Sequence, residues 1–211
     1  SNTQSNDYNN KVTDGLFIRE EYSDSIRNWI INHGIHKKHE YRYSDLGYYF
    51  YKDIIEKQTG KGLDYLSDSL FYKPLGAGLL TFRPLEKFSK DKIAPTENDM
   101  FFRKKLVHGT VHDPGAAMLG GVGGHAGLFS NANDLAKMFA MYMNNGEYGG
   151  ERYIDSAVVA EFTKVQFPEE ENRRGAGFDK PSGDENGPTC DCVSGKSFGH
   201  SGFTGTLAWA D

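Results

Sequence analysis

The sequence YRYSDLGYYFYKDIIEKQTG, residues 41–60, carries the clearest structural signal in this 211-residue chain. Asp45 can cap the start of a helix, and Gly60 can end it because glycine readily adopts the left-handed backbone conformation. The helically spaced apolar side chains between them are Leu46, Tyr49, Phe50, Ile54 and the adjacent Ile55. The segment therefore predicts a helix over residues 45–59, with Tyr43-Ser44-Asp45 at its entrance.

Further helices are predicted from the same kinds of signal. Residues 21–33 are followed by the stop residue Gly34, and their helically spaced apolar residues are Ile26, Trp29 and Ile30. Shorter helices are predicted over 63–71 and 155–164. Another helix is predicted after Ser130 or Asn131, either of which can cap it, with an apolar face formed by Leu135, Met138, Phe139 and Tyr142.

The remaining segments carry weaker signals. Residues 80–106 are predicted to be irregular because Pro84 and Pro95 interrupt regular backbone hydrogen bonding. Residues 166–196 are polar and contain glycine and proline throughout, which predicts a long loop or a ragged hairpin. The final stretch, SFGHSGFTGTLAWAD, alternates in polarity and is predicted to be a strand. Because this strand runs up to Asp211, we expect more chain to follow it in a parent protein.

Composition narrows the functional classes. The chain has 29 acidic and 24 basic residues, a net charge of −5, which disfavours nucleic acid as the main partner. The doublet Arg173-Arg174 is expected to lie on the surface. No apolar segment approaches the roughly 20 residues that span a bilayer as a helix. The length predicts one domain, or one large piece of a domain.

Two motifs suggest nucleotide chemistry but lack its context. The run GGVGGHAG, residues 120–127, fits a loose dinucleotide-binding pattern, yet no buried strand precedes it and no acidic residue follows at the required distance. We expect instead a turn where backbone passes close to other backbone or to a ligand. Tyr48-x-x-x-Lys52 has the spacing of a dehydrogenase pair, but the glycine run lies on its wrong side, and Lys52 is expected to point to solvent.

Metal and redox sites are weakly indicated. His108, His112, Asp113 and His125 could ligate zinc, although the first two histidines lie in a segment with poor helix-forming character. Hydrogen-bonded loop histidines are the favoured interpretation. Cys190 and Cys192 are one residue apart, so a disulfide between them would be strained, and we expect surface cysteines there.

Four segments together resemble the β-lactamase-like serine hydrolases: class C β-lactamases, DD-peptidases and related esterases. That family has the signatures S-x-x-K, Y-x-N and K-T-G or H-x-G, in this order. The segment with Tyr43-Ser44-Asp45 resembles the second signature, and GHSGFTGTLAWAD, residues 199–211, the third. The segments YLSDSLFYKPLG and GGHAGLFSNANDLAKM, which lie between them, are similar to intervening parts of the family.

A narrower resemblance is carried by VHGTVHDPGAAMLGGVGGHAGLFS and NRRGAGFDKP. These segments look like β-lactamase-like modules fused to glycoside hydrolases in Bacteroidetes. The resemblance implies a bacterial envelope or periplasmic setting, an appended glycoside hydrolase domain in the parent protein, and a peptidoglycan-like, peptide or ester substrate. It implies neither a metal nor another cofactor.

The resemblance implies an α+β fold, an antiparallel sheet flanked by helices with a helical subdomain that supplies Tyr43. Residues 1–211 would form part of one such domain, without its N-terminal nucleophile-bearing part and its last strand and helix. The S-x-x-K signature should precede Tyr43, but the only match, Ser89 to Lys92, follows it in a charged segment. We therefore interpret that match as chance and expect the nucleophile to lie upstream of residue 1.

The resemblance also assigns roles to residues that are present. Tyr43 would act with the upstream lysine as general base. The pKa of a free tyrosine is about 10, so a phenolate at neutral pH needs about 4 kcal/mol of selective stabilisation, which nearby cations must supply. His200 replaces the lysine of K-T-G. It would bind a substrate carboxylate if protonated, or position Tyr43 if neutral.

The remaining assignments concern the substrate. The backbone N–H of Phe203 would donate to the oxyanion, and Asp45, Ser201 and Gly202 would line the substrate site. Asp45 replaces the usual asparagine, and an ionised carboxylate cannot donate to a substrate carbonyl. It could pair with the upstream lysine or act only as a helix cap. The sequence thus predicts acyl transfer through a serine, and the alternative is a non-catalytic binding or accessory module of a larger envelope enzyme.

Overall fold

The computed structural model describes residues 1–34, 41–170, 172–182 and 187–211. The chain forms two compact units. The first consists of residues 1–69 and 79–130, and the second of residues 70–78 and 131–211.

Two antiparallel hairpins belong to the first unit. Strand β1 (Asn10–Thr13) pairs with β2 (Leu16–Ile18), and β3 (Pro95–Asp99) pairs with β4 (Lys105–His108). The second hairpin shows that the prediction of irregular structure over 80–106 was wrong there. Pro95 is compatible with the hairpin because it occupies the first position of its strand.

The first two helices of the first unit match the sequence predictions closely, whereas its fourth helix was not predicted. Helix α1 spans Tyr22–Asn32, and α2 spans Leu46–Thr59 and ends at Gly60 with φ of 67°. Helix α3 (Leu63–Ser67) continues as a π-helical turn over Asp68–Tyr72. Helix α4 (Pro114–Met118) starts at Asp113, whose carboxylate accepts from the backbone N–H of Ala116. Single 3₁₀ turns span Pro84–Glu86 and Lys90–Lys92.

A small apolar core and a buried ion pair stabilise the first unit. The fully buried side chains of the core are Val12, Val111, Ala116 and Ala117. The carboxylate of Asp99 accepts from the backbone N–H groups of Phe101, Phe102 and Arg103. These bonds hold the pKa of Asp99 down at about 2. The Arg103 guanidinium pairs with Asp99 and donates to the carbonyl oxygens of Val111 and His112.

The second unit combines helices with short antiparallel pairs. Helix α5 spans Ala132–Met143 and is capped by the Asn131 side chain, which accepts from the Asp134 N–H at 2.8 Å, as predicted. Strand β5 (Glu147–Tyr148) pairs with β6 (Glu151–Arg152), and α6 (Ser156–Thr163) follows. A 3₁₀ turn spans Pro168–Glu170. Aromatic rings that contact one another form much of the interior of the second unit: Phe139, Tyr142, Phe178 and Phe198.

The prediction of one terminal strand was wrong, because the segment forms a hairpin. Strand β7 (Phe198–Ser201) pairs with β8 (Leu207–Ala210). The N–H of Gly202 donates to the Thr206 carbonyl at 2.7 Å and closes the turn. On the other edge of β7, Asp179 forms an antiparallel bridge with Gly199.

The described parts of the polar segment 166–196 are largely irregular, as predicted, and residues 171 and 183–186 lie outside the description. Cys190 and Cys192 lie on the surface, as predicted, and they are joined by a disulfide, which the sequence spacing had disfavoured. Within the described ranges, no helix has the length and apolar character needed to cross a membrane.

Candidate active site

Tyr43 lies at the entrance of α2, and its side chain is 55% exposed. The hydroxyl oxygen of Ser44 accepts from the Leu46 N–H at 3.2 Å. Asp45 occupies the N-cap position, as predicted, but its side chain makes no capping hydrogen bond. Its carboxylate therefore does not need to face the helix end.

The glycine run contacts α2 directly. A β-carbon added to Gly124 would overlap the backbone carbonyl oxygen of Tyr48. A β-carbon on Gly127 would approach the carbonyl oxygen of Gly121 to 2.6 Å. The predicted close passage of backbone against backbone is thus confirmed, and it places this segment against the helix that follows Tyr43.

A buried cluster beside this contact joins His125, Asp113 and Tyr49. The Nε2 atom of His125 donates to Asp113 Oδ1 at 2.8 Å, and only 2% of the His125 side chain is exposed. The imidazole stacks on the Tyr49 ring. Burial, with Asp113 and Asp45 nearby, raises the pKa of Tyr49 to about 12. Tyr49 is therefore a neutral phenol at physiological pH.

The histidines considered as zinc ligands each have a separate partner. His108 Nε2 lies 2.6 Å from the Ile93 carbonyl oxygen, and His112 Nε2 lies 2.7 Å from Glu97 Oε1. His108 is thus hydrogen-bonded, as predicted, but it ends strand β4 instead of lying in a loop, whereas His112 lies in a loop beside the Glu97 carboxylate. In the described parts of the chain, no three His, Cys, Asp or Glu side chains are grouped so that they could hold a metal ion.

Lys52 does not point freely to solvent, so that expectation was wrong. Its side chain is only 13% exposed, and its Nζ lies 3.7 Å from Glu56 Oε2. It lines a surface pocket of about 360 Å³ together with Arg27 and Glu20. Its methylene chain is buried while its ammonium stays close to a carboxylate.

His200 lies on β7 between two polar partners. Its Nε2 atom is 2.8 Å from Arg174 Nη1, and its Nδ1 atom is 2.6 Å from the Ser201 carbonyl oxygen. Sequence reasoning missed Arg174, since the doublet Arg173-Arg174 was expected to be an ordinary surface feature. Both guanidiniums instead bind the buried carboxylate of Asp179.

The turn after β7 leaves little room beside its glycine. A β-carbon on Gly202 would overlap the Thr206 hydroxyl, so a side chain at this position would require the Thr206 side chain to rotate away. The Phe203 side chain is 92% exposed. The six predicted site residues thus fall into two local groups. Tyr43 and Asp45 belong to the first unit, and the second unit contains His200, Ser201, Gly202 and Phe203.

Comparison with known proteins decides the family. A family model described as β-lactamase matches residues 2–211. The chain belongs to the β-lactamase family. This confirms the family resemblance carried by the Tyr43 and His200 segments.

Proteins with similar sequences come from several Salmonella strains. A Salmonella gallinarum protein with the provisional name D-alanyl-D-alanine carboxypeptidase is 37% identical over 182 residues, 80% of this chain and 42% of that protein. A Salmonella typhi protein of the same name has the same identity and coverage. The chain therefore spans less than half the length of these relatives.

A solved β-lactamase structure supports the fold. The Mycobacterium bovis β-lactamase is 19% identical, with a TM-score of 0.53, and the match covers 80% of this chain and 51% of that one. Helices combined with antiparallel strand pairs in this chain agree with the predicted α+β fold of β-lactamase type. The chain is thus β-lactamase-like by family and by fold.

Proposed function

We propose that this chain is part of a serine hydrolase that forms an acyl-enzyme on an ester, peptide or muropeptide-like substrate and then transfers the acyl group to water. The observation that carries the proposal is the family match over residues 2–211. Tyr43 and His200 are proposed to stand at two of the family's catalytic signatures. The nucleophilic serine of an S-x-x-K signature is proposed to lie outside residues 1–211.

The local structure at Ser89 supports this placement of the nucleophile. Ser89 precedes a single exposed 3₁₀ turn of the first unit, and Lys92 is the last residue of that turn. A nucleophile of this type needs a helix that aims the hydroxyl into a cleft with the lysine one turn later. A turn of three residues, Lys90–Lys92, gives no such support.

Tyr43 is proposed as the general base, acting with the lysine of the missing signature. The phenol is accessible at the entrance of α2, whereas Tyr49, one and a half turns further on, is held neutral by burial. Proton transfer to a positioned phenolate typically contributes 10²–10⁴ in rate. Only a nearby cation can keep Tyr43 ionised at neutral pH.

Strand β7 and the turn after it are proposed to hold the substrate. The N–H of Phe203 would donate to the oxyanion, and Ser201 and Gly202 would contact the acyl group. Loss of one oxyanion donor typically costs 10²–10³ in kcat. His200 is proposed to take the place of the lysine in the family's K-T-G signature. Asp45, which makes no capping bond, is proposed to pair with the missing lysine.

The proposed substrate is peptidoglycan-related, because similar proteins are named as D-alanyl-D-alanine carboxypeptidases. That chemistry favours the periplasm or cell envelope as the location. The fused glycoside hydrolase domain stays a prediction from the sequence.

A fluorophosphonate probe tests the proposal, since it phosphonylates activated serines. We expect the full-length protein to be labelled and a Tyr43→Phe variant to lose at least 100-fold in labelling rate. Tyr41→Phe is the matched control, because this exposed tyrosine lies two positions away and has no proposed role. A folded full-length protein that is not labelled, or equal loss in both variants, would refute the proposal.

A further inference from the structure

We propose that Arg174 is the positioning residue that holds His200 neutral, with its proton on Nδ1. A guanidinium can only donate, so Arg174 Nη1, 2.8 Å from His200 Nε2, requires a lone pair on that nitrogen. A carbonyl oxygen can only accept, so Nδ1, 2.6 Å from the Ser201 carbonyl, must carry the proton. The two contacts specify one tautomer. The catalytic meaning of this tautomer rests on the proposed function.

The electrostatics of the cluster support this assignment. Arg173 binds Asp179 through two contacts, Nε to Oδ1 at 2.8 Å and Nη2 to Oδ2 at 3.0 Å. Arg174 Nη2 shares the same carboxylate at 3.3 Å. Two guanidiniums therefore face one carboxylate close to His200. A positive charge on the imidazole would lie 2.8 Å from the Arg174 guanidinium and be repelled by it.

The inference settles which of the two predicted roles of His200 the geometry favours. A protonated His200 that binds a carboxylate would lose its acceptor contact with Arg174. A neutral His200 keeps it, and the permanent positive charge at this point of β7 belongs to Arg174, which stays protonated at any physiological pH.

Two-bond ¹H–¹⁵N NMR spectra of the histidine rings test the tautomer directly. In the full-length protein, with the His200 signals assigned by their loss in His200→Gln, we expect a protonated Nδ1 and an unprotonated Nε2. Arg174→Met removes the donor that excludes a proton from Nε2, so part of the His200 population should gain an Nε2 proton while Nδ1 keeps its bond to Ser201. Arg174→Lys should retain the native pattern, because an ammonium also donates only.

Arg173→Met is the matched control, since it removes a guanidinium from the same carboxylate without touching His200. It should leave the His200 pattern unchanged. A native Nε2–H tautomer, a doubly protonated ring at neutral pH, or the same response to both methionine variants would overturn the inference. The readout does not depend on catalysis, so a protein that is inert to fluorophosphonate can still confirm or refute it.

We also propose, from an independent observation in the first unit, that the tip of the β3–β4 hairpin binds an anionic lipid bilayer. Met100 is 65% exposed and Phe101 is 94% exposed at this tip. The three bonds from backbone N–H groups to Asp99 fix the backbone of the tip. These large apolar side chains are therefore held outward by a defined loop.

Lysines surround the base of this tip. Lys105 Nζ donates to the Asp14 carbonyl oxygen at 2.6 Å, and Lys11 and Lys90 lie 2.8 and 3.5 Å from the Asp14 carboxylate. Lys104 belongs to the tip itself. Three lysines thus cluster at Asp14, and Lys104 adds a fourth positive charge at the tip. A protruding apolar tip above a cationic base matches the interface of an anionic bilayer, where apolar side chains enter the acyl region and lysines meet headgroups.

Vesicle co-sedimentation tests this surface. We expect the full-length protein to bind phosphatidylglycerol-containing vesicles more tightly than phosphatidylcholine vesicles, and a Met100→Ser/Phe101→Ser variant to bind roughly tenfold more weakly. Leu207→Ser, which removes an exposed apolar side chain in the second unit, should have no effect. The proposal would be overturned if the tip variant bound vesicles as tightly as the native protein. It would also be overturned if the substitutions reduced self-association of the protein and left vesicle binding unchanged.

Discussion

The imidazole of His125 stacks on the ring of Tyr49, with centroids 4.2 Å apart and planes 13° from parallel. Because His125 also binds Asp113, this stack joins the glycine run, helix α4 and helix α2 within the first unit. Helix α2 begins just after Tyr43. The packing of the buried His125 thus fixes helix α2, which positions the proposed base Tyr43.

Replacing His125 with alanine should lower the free energy of unfolding by about 3 kcal/mol, because it removes a buried ring and takes one of its hydrogen-bond donors from the Asp113 carboxylate. Urea unfolding measures this change. His33→Ala is the control, since His33 stacks on Trp29 at 4.3 Å but on the surface, and its effect should stay within about 0.5 kcal/mol. Equal losses in the free energy of unfolding for the two variants would show that burial of the His125 cluster does not stabilise the fold.

Gly124→Ala should destabilise the first unit by about 1–3 kcal/mol, because the new methyl group collides with the Tyr48 carbonyl oxygen of α2. Gly47 lies on α2, the helix of Tyr48, and has open space around it. Gly47→Ala should therefore stabilise the first unit by about 0.5–1 kcal/mol. Thermal unfolding of the two variants gives the comparison. A neutral Gly124→Ala would contradict the close contact between the glycine run and α2.

Acid should destabilise the β3–β4 hairpin through Asp99. Its backbone hydrogen bonds lower its pKa from 3.8 to about 2, so its stabilising contribution is fully present above pH 3.8 and is lost as pH falls through 2. The free energy of unfolding, measured between pH 5 and 2, should therefore decline less steeply with falling pH in Asp99→Asn than in the native protein. The variant should already be less stable than the native protein at pH 7. An unchanged slope would show that Asp99 does not titrate at such a low pH.

Tyr49 should ionise near pH 12 in the folded protein, because burial chiefly, with Asp113 and Asp45, raises its pKa from 10.0. The raised pKa stabilises the fold fully below pH 10, and this contribution is lost as pH rises from 10 to 12. Ultraviolet titration of the native protein, compared with Tyr49→Phe, isolates this group. A Tyr49 signal that titrates near pH 10 would contradict the buried environment described here.

Local sequence signals predicted the helices well. The limits of α1 and α2 follow from periodic apolar residues and from Gly34 and Gly60, all of which act within a few residues of the chain. The β3–β4 hairpin was missed because its strands show no clear alternation, and the contacts of Asp99 and Arg103 that stabilise it depend on tertiary structure.

The candidate site was only partly visible in the sequence for a similar reason. The motif positions of Tyr43 and His200 could be found from their neighbours in the chain. The contact of His200 with Arg174 spans 26 residues, and no local pattern reports it. Likewise, the burial of Lys52 depends on the pocket around it rather than on its place in α2.

The most direct test of the account is a crystal structure of the full-length protein after reaction with a fluorophosphonate. The account predicts a phosphonylated serine outside residues 1–211, with the Tyr43 hydroxyl, the Phe203 N–H and the His200 ring all facing the phosphonate. A structure in which Tyr43 and His200 face away from each other, or in which another residue carries the phosphonate, would contradict it.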